Sequence, residues 1–489
     1  MRARLPTGAA VVLLAGPAVL AFFSGGFFEE PRLIAAVAAW VIAAVAAVTV
    51  PRPLPRSASG RAALAGLALL TAWTALSYEW APLGERAQAD VQRLLLYLGL
   101  FAAAIALLRG PAARRLAEPV LALGAFAVTC YGLSARLLPT LVDLERSRSA
   151  DGRLEQPLTY WNAMGCLSAI GLVLCVRLAA DPRRTRGVRA AAAFCGPALG
   201  LGVYLSFSRG ALFALGAGLA ALVVLSPAAR VQLRSAAVLV GAGALAALVA
   251  SLLPRVESLA PGQTGDGGDG LLMLAALVVL SAAAAAFSAR SSIPAASASG
   301  PRVGRRATAV ALAALVLGSV AGAALLEDSP AARPGGNATS ATRFGSADTT
   351  RYAFWEVALD SFADDPLKGT GSGGFAVEWR REPGRRERAV DAHSLYVETL
   401  SELGVVGAAF LLLFLGGVVA STVRLQRLDP AAVAGPAAAL LVWGVHAGLD
   451  WDWELPALTG IALLLAAAMV AWADEPASPA PAGRVRDIC

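Results

Sequence analysis

PALTGIALLLAAAMVAW, residues 456–472, runs from one end to the other without a charge. A bilayer core asks for roughly 20 apolar residues per helix, somewhat fewer where the membrane thins. This stretch is long enough, and comparable runs recur throughout the chain. They cover approximately 8–23, 32–50, 61–77, 92–108, 116–135, 159–176, 190–206, 210–225, 235–253, 270–288, 307–326, 403–423 and 432–449. The expected fold is an all-α polytopic membrane protein of about 14 transmembrane helices, with one long extracytoplasmic loop that contains short helices.

Composition points the same way. The 489 residues are 57% hydrophobic and 15% charged, where soluble domains hold about 45–50% and 25%. Met1-Arg2-Ala3-Arg4 precedes the first run as in a secretory leader, but many more runs follow and no small-x-small cleavage site is clear, so the run reads as a span. The net charge of +7 comes from basic residues at helix ends, not from basic patches interleaved with aromatics, which excludes a nucleic-acid partner. Cys130, Cys166, Cys175 and Cys195 sit inside apolar runs and Cys489 is terminal, so neither a disulfide set nor a metal site is expected.

With the amino terminus inside, arginines favour the inner segments, as the positive-inside rule requires. All but six of the 34 acidic residues then fall outside; Glu118, Asp181, Asp429, Asp474, Glu475 and Asp487 are the exceptions. The chain divides into a bundle over 1–326 (spans 1 to 11), an extracytoplasmic catalytic loop over 327–402, spans 12 to 14 over 403–473, and a cytoplasmic tail over 474–489. Ser291 to Arg306 and the tail have linker composition. Abundant Ala and Gly let spans pack closely, and the scarcity of ionisable groups at mid-membrane argues against ion-coupled transport.

Polar chemistry concentrates outside. The long loop opens with a Pro, Gly, Ser and Thr stretch, 329–342. Asp348-Thr349-Thr350-Arg351 then offers a helix cap, followed by Phe354, Trp355, Ala358, Leu359 and Phe362 at helical spacing, an amphipathic helix suited to the bilayer surface. The glycine-rich turn Asp365 to Phe375 presents amides to an anion. Arg380, Arg381, Arg385, Arg386 and Arg388, interleaved with Glu382 and Glu387, read as a solvated face.

Asp391 is expected to cap a second helix with His393 in its first turn, where the helix dipole favours the neutral, basic imidazole. His446, the other histidine, is four residues before Asp450 and so on one helical face with it. Trp451 and Trp453 read as interface anchors, and Asp450 with Asp452 makes at most an incomplete metal site. Ser206-Phe207-Ser208-Arg209-Gly210 is a tight turn that fixes an arginine at the membrane surface, suited to a phosphate. Arg153 and Asn162, beside Tyr160 and Trp161, come to the same side.

Taken in order, Ser208-Arg209-Gly210, the Arg351 to Trp355 helix, the Gly371 to Phe375 turn and His393 to Glu398 resemble the O-antigen ligase and polymerase family, over most of the chain. The resemblance implies transfer of a glycan from undecaprenyl diphosphate to a glycan, lipid or protein acceptor at the outer face of the cytoplasmic membrane, inverting and without metal or other cofactor. It implies that Arg209 and Arg351 hold the diphosphate and that His393 is the base, with Asp391, Glu398 or Glu402 to orient it. Asn162 falls where many members carry Asn after Pro; here the preceding residue is Trp161. Arg153, Asn162, Trp355, Gly371 and Tyr396 are the expected substrate-binding residues. Two alternatives stay open: a polysaccharide polymerase of the same family, and a transporter or flippase for a lipid-linked solute. The second would need polar or broken helices at mid-membrane, for which Gly196-Pro197 is the main candidate.

Overall fold

The computed structural model describes residues 4–291, 350–382 and 389–475, and all regular structure in them is helical. The helices are α1 (Arg4–Ala21), α2 (Glu29–Thr49), α3 (Ala58–Ser77), α4 (Gly84–Leu107), α5 (Gly110–Leu137), α6 (Trp161–Ala179), α7 (Arg186–Leu205), α8 (Arg209–Leu225), α9 (Ala229–Ser251), α10 (Pro254–Glu257), α11 (Gly267–Arg290), α12 (Thr350–Asp364), α13 (Phe375–Arg381), α14 (Leu395–Leu428), α15 (Pro430–His446) and α16 (Pro456–Ala473). Nine of them, α2, α4, α5, α6, α7, α9, α11, α14 and α16, are long and apolar enough to cross a membrane. Residues 8–21, α8 and α15 are apolar but shorter. The expected eleventh span, the 329–342 stretch, Asp348, Thr349, Arg385, Arg386, Arg388, Glu387 and the tail beyond Glu475 lie outside the described residues.

Burial sorts the helices. The apolar windows of α6 and α16 are entirely enclosed by protein, whereas those of α2, α9 and α11 are mostly open. On α2 the outward face carries Ile34, Val37, Val41 and Val48, the last 84% exposed. An apolar face of this length is stable only against lipid. Where helices touch, small residues set the distance. A Cβ on Gly66 of α3 would overlap the Phe414 backbone of α14, and one on Gly417 would overlap Ala63. We therefore expect Gly66→Ala to destabilise the detergent-solubilised protein by about 1–3 kcal/mol through overpacking. Gly216→Ala, where nothing lies within 4 Å, is the neutral control, with thermal unfolding as the measurement.

One end of the bundle is an ion-pair network. Glu118 of α5 meets Arg184 at 3.0 Å; Arg177 of α6 meets Asp181 at 3.2 Å; Arg114 reaches Asp429 and Glu475 at 3.5 and 2.9 Å. Asp474 accepts the Arg56 and Ser57 amides at 2.6 and 3.1 Å. These are five of the six acids that sequence reasoning separated from the rest.

The opposite end carries α12, α13 and the start of α14, and here three expectations change. The helix expected after His393 and the following span form one element, α14, broken at Gly404 (φ 63°, ψ −167°). Its N-cap is Ser394, whose Oγ accepts the Val397 amide at 3.5 Å, not Asp391. The apolar face of α12 also finds protein instead of lipid: Phe354, Val357 and Ala358 pack with Phe375, Trp379, Ala389 and Ala392 into a small separate core. Leu359 points outward, 47% exposed, and Phe362 is half-buried.

Candidate active site

Between α15 and α16 the chain turns through Asp450-Trp451-Asp452-Trp453-Glu454, and each of the three acids holds its own cation from a different element. Asp450 takes Arg351 of α12 at 2.6 Å, Asp452 takes His446 of α15 at 2.5 Å, and Glu454 takes Arg93 of α4 at 3.3 Å. The three carboxylates are 1%, 0% and 5% exposed at the residue level, so none is left to water. Removing a buried charge from water is repaid only by such pairing with further hydrogen bonds. Trp453 is buried and Trp451 half-buried against protein side chains, which corrects their reading as interface anchors. Trp453 packs edge-on against Tyr97 at 4.9 Å and Trp451 lies 4.6 Å from Tyr160 and 5.5 Å from Phe27. His446 pairs with Asp452 and not with Asp450, because the helix ends at His446 and the chain between them is a turn, not a further helical turn.

Asp450 is the most heavily bonded of the three. Besides Arg351 it accepts the Tyr160 hydroxyl (2.6 Å), the Asn162 amide (2.6 Å) and the Trp451 backbone N–H (3.0 Å). Asn162 also donates to Tyr160 Oη at 2.7 Å. Arg351 and Asn162, 189 positions apart in sequence, thus meet on one carboxylate. Burial acts to raise the Asp450 carboxyl, but Arg351 beside it leaves it below the usual carboxylate value. A carboxyl depressed in the folded state contributes stability that is present above its unfolded value, about pH 4, and lost as pH falls through the lower folded value. We expect wild-type thermal stability to drop on acidification below about pH 4 more steeply than that of Asp450→Asn.

Arg153 lies one layer back. Its guanidinium stacks 3.6 Å over the Trp161 ring and donates to the Ala150 and Ser149 carbonyls at 2.6 and 2.7 Å. Trp161 in turn lies against Tyr160. The connection that carries these residues is pinned by Arg136 of α5, which donates to Gly152 O at 2.6 Å and Val256 O at 2.7 Å.

His393 is outside the helix, just before its cap, in a left-handed conformation (φ +54°). This corrects its placement in a first helical turn. A non-glycine residue held there stores backbone strain of order 1–3 kcal/mol and persists only where its surroundings impose it. They do: the ring stacks on Phe354 at 5.1 Å and faces Trp451 at 6.3 Å, and Nδ1 is 3.0 Å from the Asp391 carbonyl. A carbonyl can only accept, so Nδ1 carries the proton and the neutral ring offers its lone pair at Nε2. Of the three acids considered for orienting it, Asp391 does so, and through its main chain. Glu398 instead accepts the Ala392 amide at 2.7 Å.

Glu402 has yet another task. The glycine-rich turn closes on the protein's own acid: Gly373 N and Phe375 N donate to the Glu402 carboxyl oxygens at 2.8 and 3.1 Å, while burial pushes that carboxyl up to about 8. Gly371, expected at the substrate, gives its N–H to the Glu402 carbonyl (2.9 Å) and, at φ +89°, rests against Ala81, where a Cβ would sit 2.5 Å from Cα. It is a seat for the loop, and Gly371→Ala is expected to undock it, read as faster proteolysis of 365–382. Tyr396 spends its hydroxyl on Gly444 O at 2.7 Å. Trp355 packs between the main core and the small one, edge-on to Tyr352 at 5.3 Å, with its indole N–H buried and unbonded among the described residues.

Arg209 opens α8, whose cap is Ser208: Oγ accepts the Ala211 amide at 3.2 Å. The next residue, Gly210, faces His446; a Cβ there would lie 3.3 Å from Cδ2 and 3.4 Å from Nε2. The 450–454 turn therefore meets Arg351 at Asp450 and His393 at Trp451, and His446, paired with Asp452, lies against the residue that follows Arg209.

Residues 268–412 match the family described as O-antigen ligase. That match covers under a third of the chain, from α11 to the middle of α14. No curated protein matches it. The matched part contains Arg351, Trp355, Gly371, His393 and Tyr396, while Arg153, Asn162, Arg209 and the 450–454 turn lie outside it. Cys166, His446 and Asp452 bring three potential metal donors within 4.8 Å of one another. The 2.5 Å contact between His446 Nδ1 and Asp452 Oδ2 is a hydrogen-bond distance, shorter than the roughly 3.3 Å that separates two donors around a tetrahedral ion with about 2.0–2.2 Å bonds. The geometry fits a proton-sharing pair better than a metal.

The sequence brings out Asp450 and Tyr160 but not their pairing with Arg351 and Asn162, and it gives no sign of Arg93 and Glu454 as the support. The alternation of acid and tryptophan over 450–454 was the available signal. Three acids at every second position in an apolar neighbourhood demand partners.

Proposed function

We propose that the chain transfers a glycan from undecaprenyl diphosphate to an acceptor hydroxyl at the outer face of the cytoplasmic membrane, with the 450–454 turn as the centre of the site. One observation carries the reading: Arg351 and His393, from the loop, converge on adjacent residues of that turn, Asp450 and Trp451. In this reading the acceptor oxygen attacks the anomeric carbon while His393 Nε2 takes its proton. The bond from that carbon to the diphosphate oxygen breaks, and its electron pair leaves with the diphosphate, which gains one negative charge. Attack from the face opposite the leaving group inverts the anomeric centre.

Arg351 and Arg209 take up the developing charge, each with a planar fork that stays cationic at any working pH. A phosphate competes with Asp450 for Arg351; the carboxylate keeps Tyr160 and Asn162 when the arginine turns to substrate, so its charge is not stranded. Ligase and polymerase chemistry differ here only in the acceptor. The fourteen-span topology with the loop outside supplies the side on which both substrates are met.

The test is transfer by purified, reconstituted protein from an undecaprenyl-diphosphate glycan to candidate acceptors, without nucleotide or added divalent metal. Transfer that Arg351→Ala and Arg209→Ala lower by about 10²-fold or more, the scale of losing one preorganised charge donor, is the expected result. Undiminished transfer in both variants overturns the assignment.

A further inference from the structure

At the end of the bundle opposite the 450–454 turn, Arg189 of α7 is 6% exposed, and the acceptors that meet it among the described residues are main-chain carbonyls, not carboxylates. Its Nε donates to Ala179 O at the end of α6 (3.2 Å), and its Nη2 to Ser288 O and Ser291 O at the end of α11 (3.2 and 2.9 Å). Ser288 Oγ donates in return to Arg189 O at 3.3 Å. The guanidinium thereby ties two helix carboxyl ends, where the dipoles are negative. These bonds use three of its five N–H groups, and the two on Nη1 have no partner among the described residues.

Arg189 borders a cavity of about 50 Å³ between α7, α9 and α11. That is several times the roughly 10–15 Å³ that admits one water, room for a tetrahedral oxyanion. The polar part of the wall is Arg189, Arg234, Ser235, Ser288 and Ser291, with no acid. Arg234 of α9 is exposed, and its side chain makes no hydrogen bond or ion pair among the described residues. The positive-inside rule accounts for arginines at this end. It does not account for two of them lining one cavity, which favours an anion there.

The rest of the wall says which kind of anion. Val238, Leu239 and Phe287 line the cavity too, and the apolar windows of α9 and α11 that continue from it are mostly open. Leu245 and Leu248 of α9 and Val278 and Val279 of α11 are more than half exposed. A molecule with an anionic head in the cavity and apolar chains along these faces satisfies both parts. A free phosphate satisfies only the first.

We propose that the cavity between α7, α9 and α11 binds the phosphate of an anionic phospholipid, with Arg189 and Arg234 as its headgroup ligands. Basic pockets between transmembrane helices are suited to such headgroups. Arg189 brings donors already fixed in place by the α6 and α11 carbonyls, and Arg234 closes on the head from the exposed side. A lipid seated there bridges three helices and leaves the 450–454 turn untouched, so the site is independent of glycan transfer.

The test is thermal unfolding of protein washed free of lipid by exchange into a neutral detergent, titrated with phosphatidylglycerol. A ligand that binds the folded protein raises its unfolding temperature with concentration. Phosphatidylglycerol is expected to raise it where phosphatidylcholine with the same chains, or inorganic phosphate, does not. Arg234→Gln, at an exposed position, is expected to unfold like wild type without lipid and to need about five- to tenfold more phosphatidylglycerol for the same shift, the scale of one arginine at a charged headgroup. Arg52→Gln removes the same charge from the exposed α2–α3 connection and is expected to respond like wild type.

No response to phosphatidylglycerol overturns the proposal, as does an unchanged response in Arg234→Gln. An equal response to phosphatidylcholine means that the charge of the head is not read, and an equal response to phosphate means a site for soluble anions. Equal weakening by Arg52→Gln reduces the effect to net charge. Each of these three outcomes also overturns it.

Discussion

His393→Asn is expected to slow glycan transfer by about 10²–10⁴-fold, the range of a lost general base, with the protein's unfolding temperature close to that of the wild type. The choice of asparagine matters. His393 sits at φ +54°, and asparagine tolerates the left-handed region far better than alanine or any branched residue. The substitution therefore removes the base while keeping the backbone that presents it. His393→Ala should lose as much rate and somewhat more stability. Comparing the two separates chemistry from strain. If His393→Asn transfers glycan at near the wild-type rate, His393 is not the base. A gain in rate toward high pH in the variant, with hydroxide replacing the imidazole, would be consistent with the assignment.

The second large effect is on stability. Asp450→Ala is expected to cost about 3–5 kcal/mol, because it removes a fully buried carboxylate that Arg351, Tyr160, Asn162 and Trp451 N share. Arg351→Ala removes the cation paired with that carboxylate. The double variant Arg351→Met with Asp450→Leu should recover much of that loss, since replacing both partners of a buried pair by apolar groups is often near neutral. It should recover none of the transfer activity. Thermal or denaturant unfolding of the three variants gives the coupling, and simple additivity would show that the two side chains do not form the working pair.

Much of this architecture is legible in sequence because lipid leaves so few ways to satisfy a backbone. Each described apolar run is a helix, and the acids separated by topology gather into one network of Glu118, Asp181, Asp429, Asp474 and Glu475. Which helices are enclosed is harder to see, since α6 and α16 differ from α2 in surroundings more than in composition.

The site was half legible. Arg351, Asn162 and His393 could be named from residue type and order, but their meeting point could not. Asp450 pairs with Arg351 across 99 positions and with Asn162 across 288, and no local periodicity reports such separations. Local signals also competed. Asp391 and Ser394 are both good helix caps, and Ser394 prevails while Glu398 reaches back to Ala392, which puts His393 in the strained residue before the helix. The amides of the glycine turn are taken by the Glu402 carboxyl, twenty-seven to twenty-nine residues ahead in the same chain.

That sequence distance has a consequence for biosynthesis. A ribosome that has delivered Arg351 and His393 to the membrane must still see α14, α15 and the 450–454 turn inserted before either residue finds its counterpart. A nascent chain arrested before Asp450 should carry the family's matched segment complete and still lack a site, with its loop open to protease. Protection of that loop would then report the moment when the last two helices have docked.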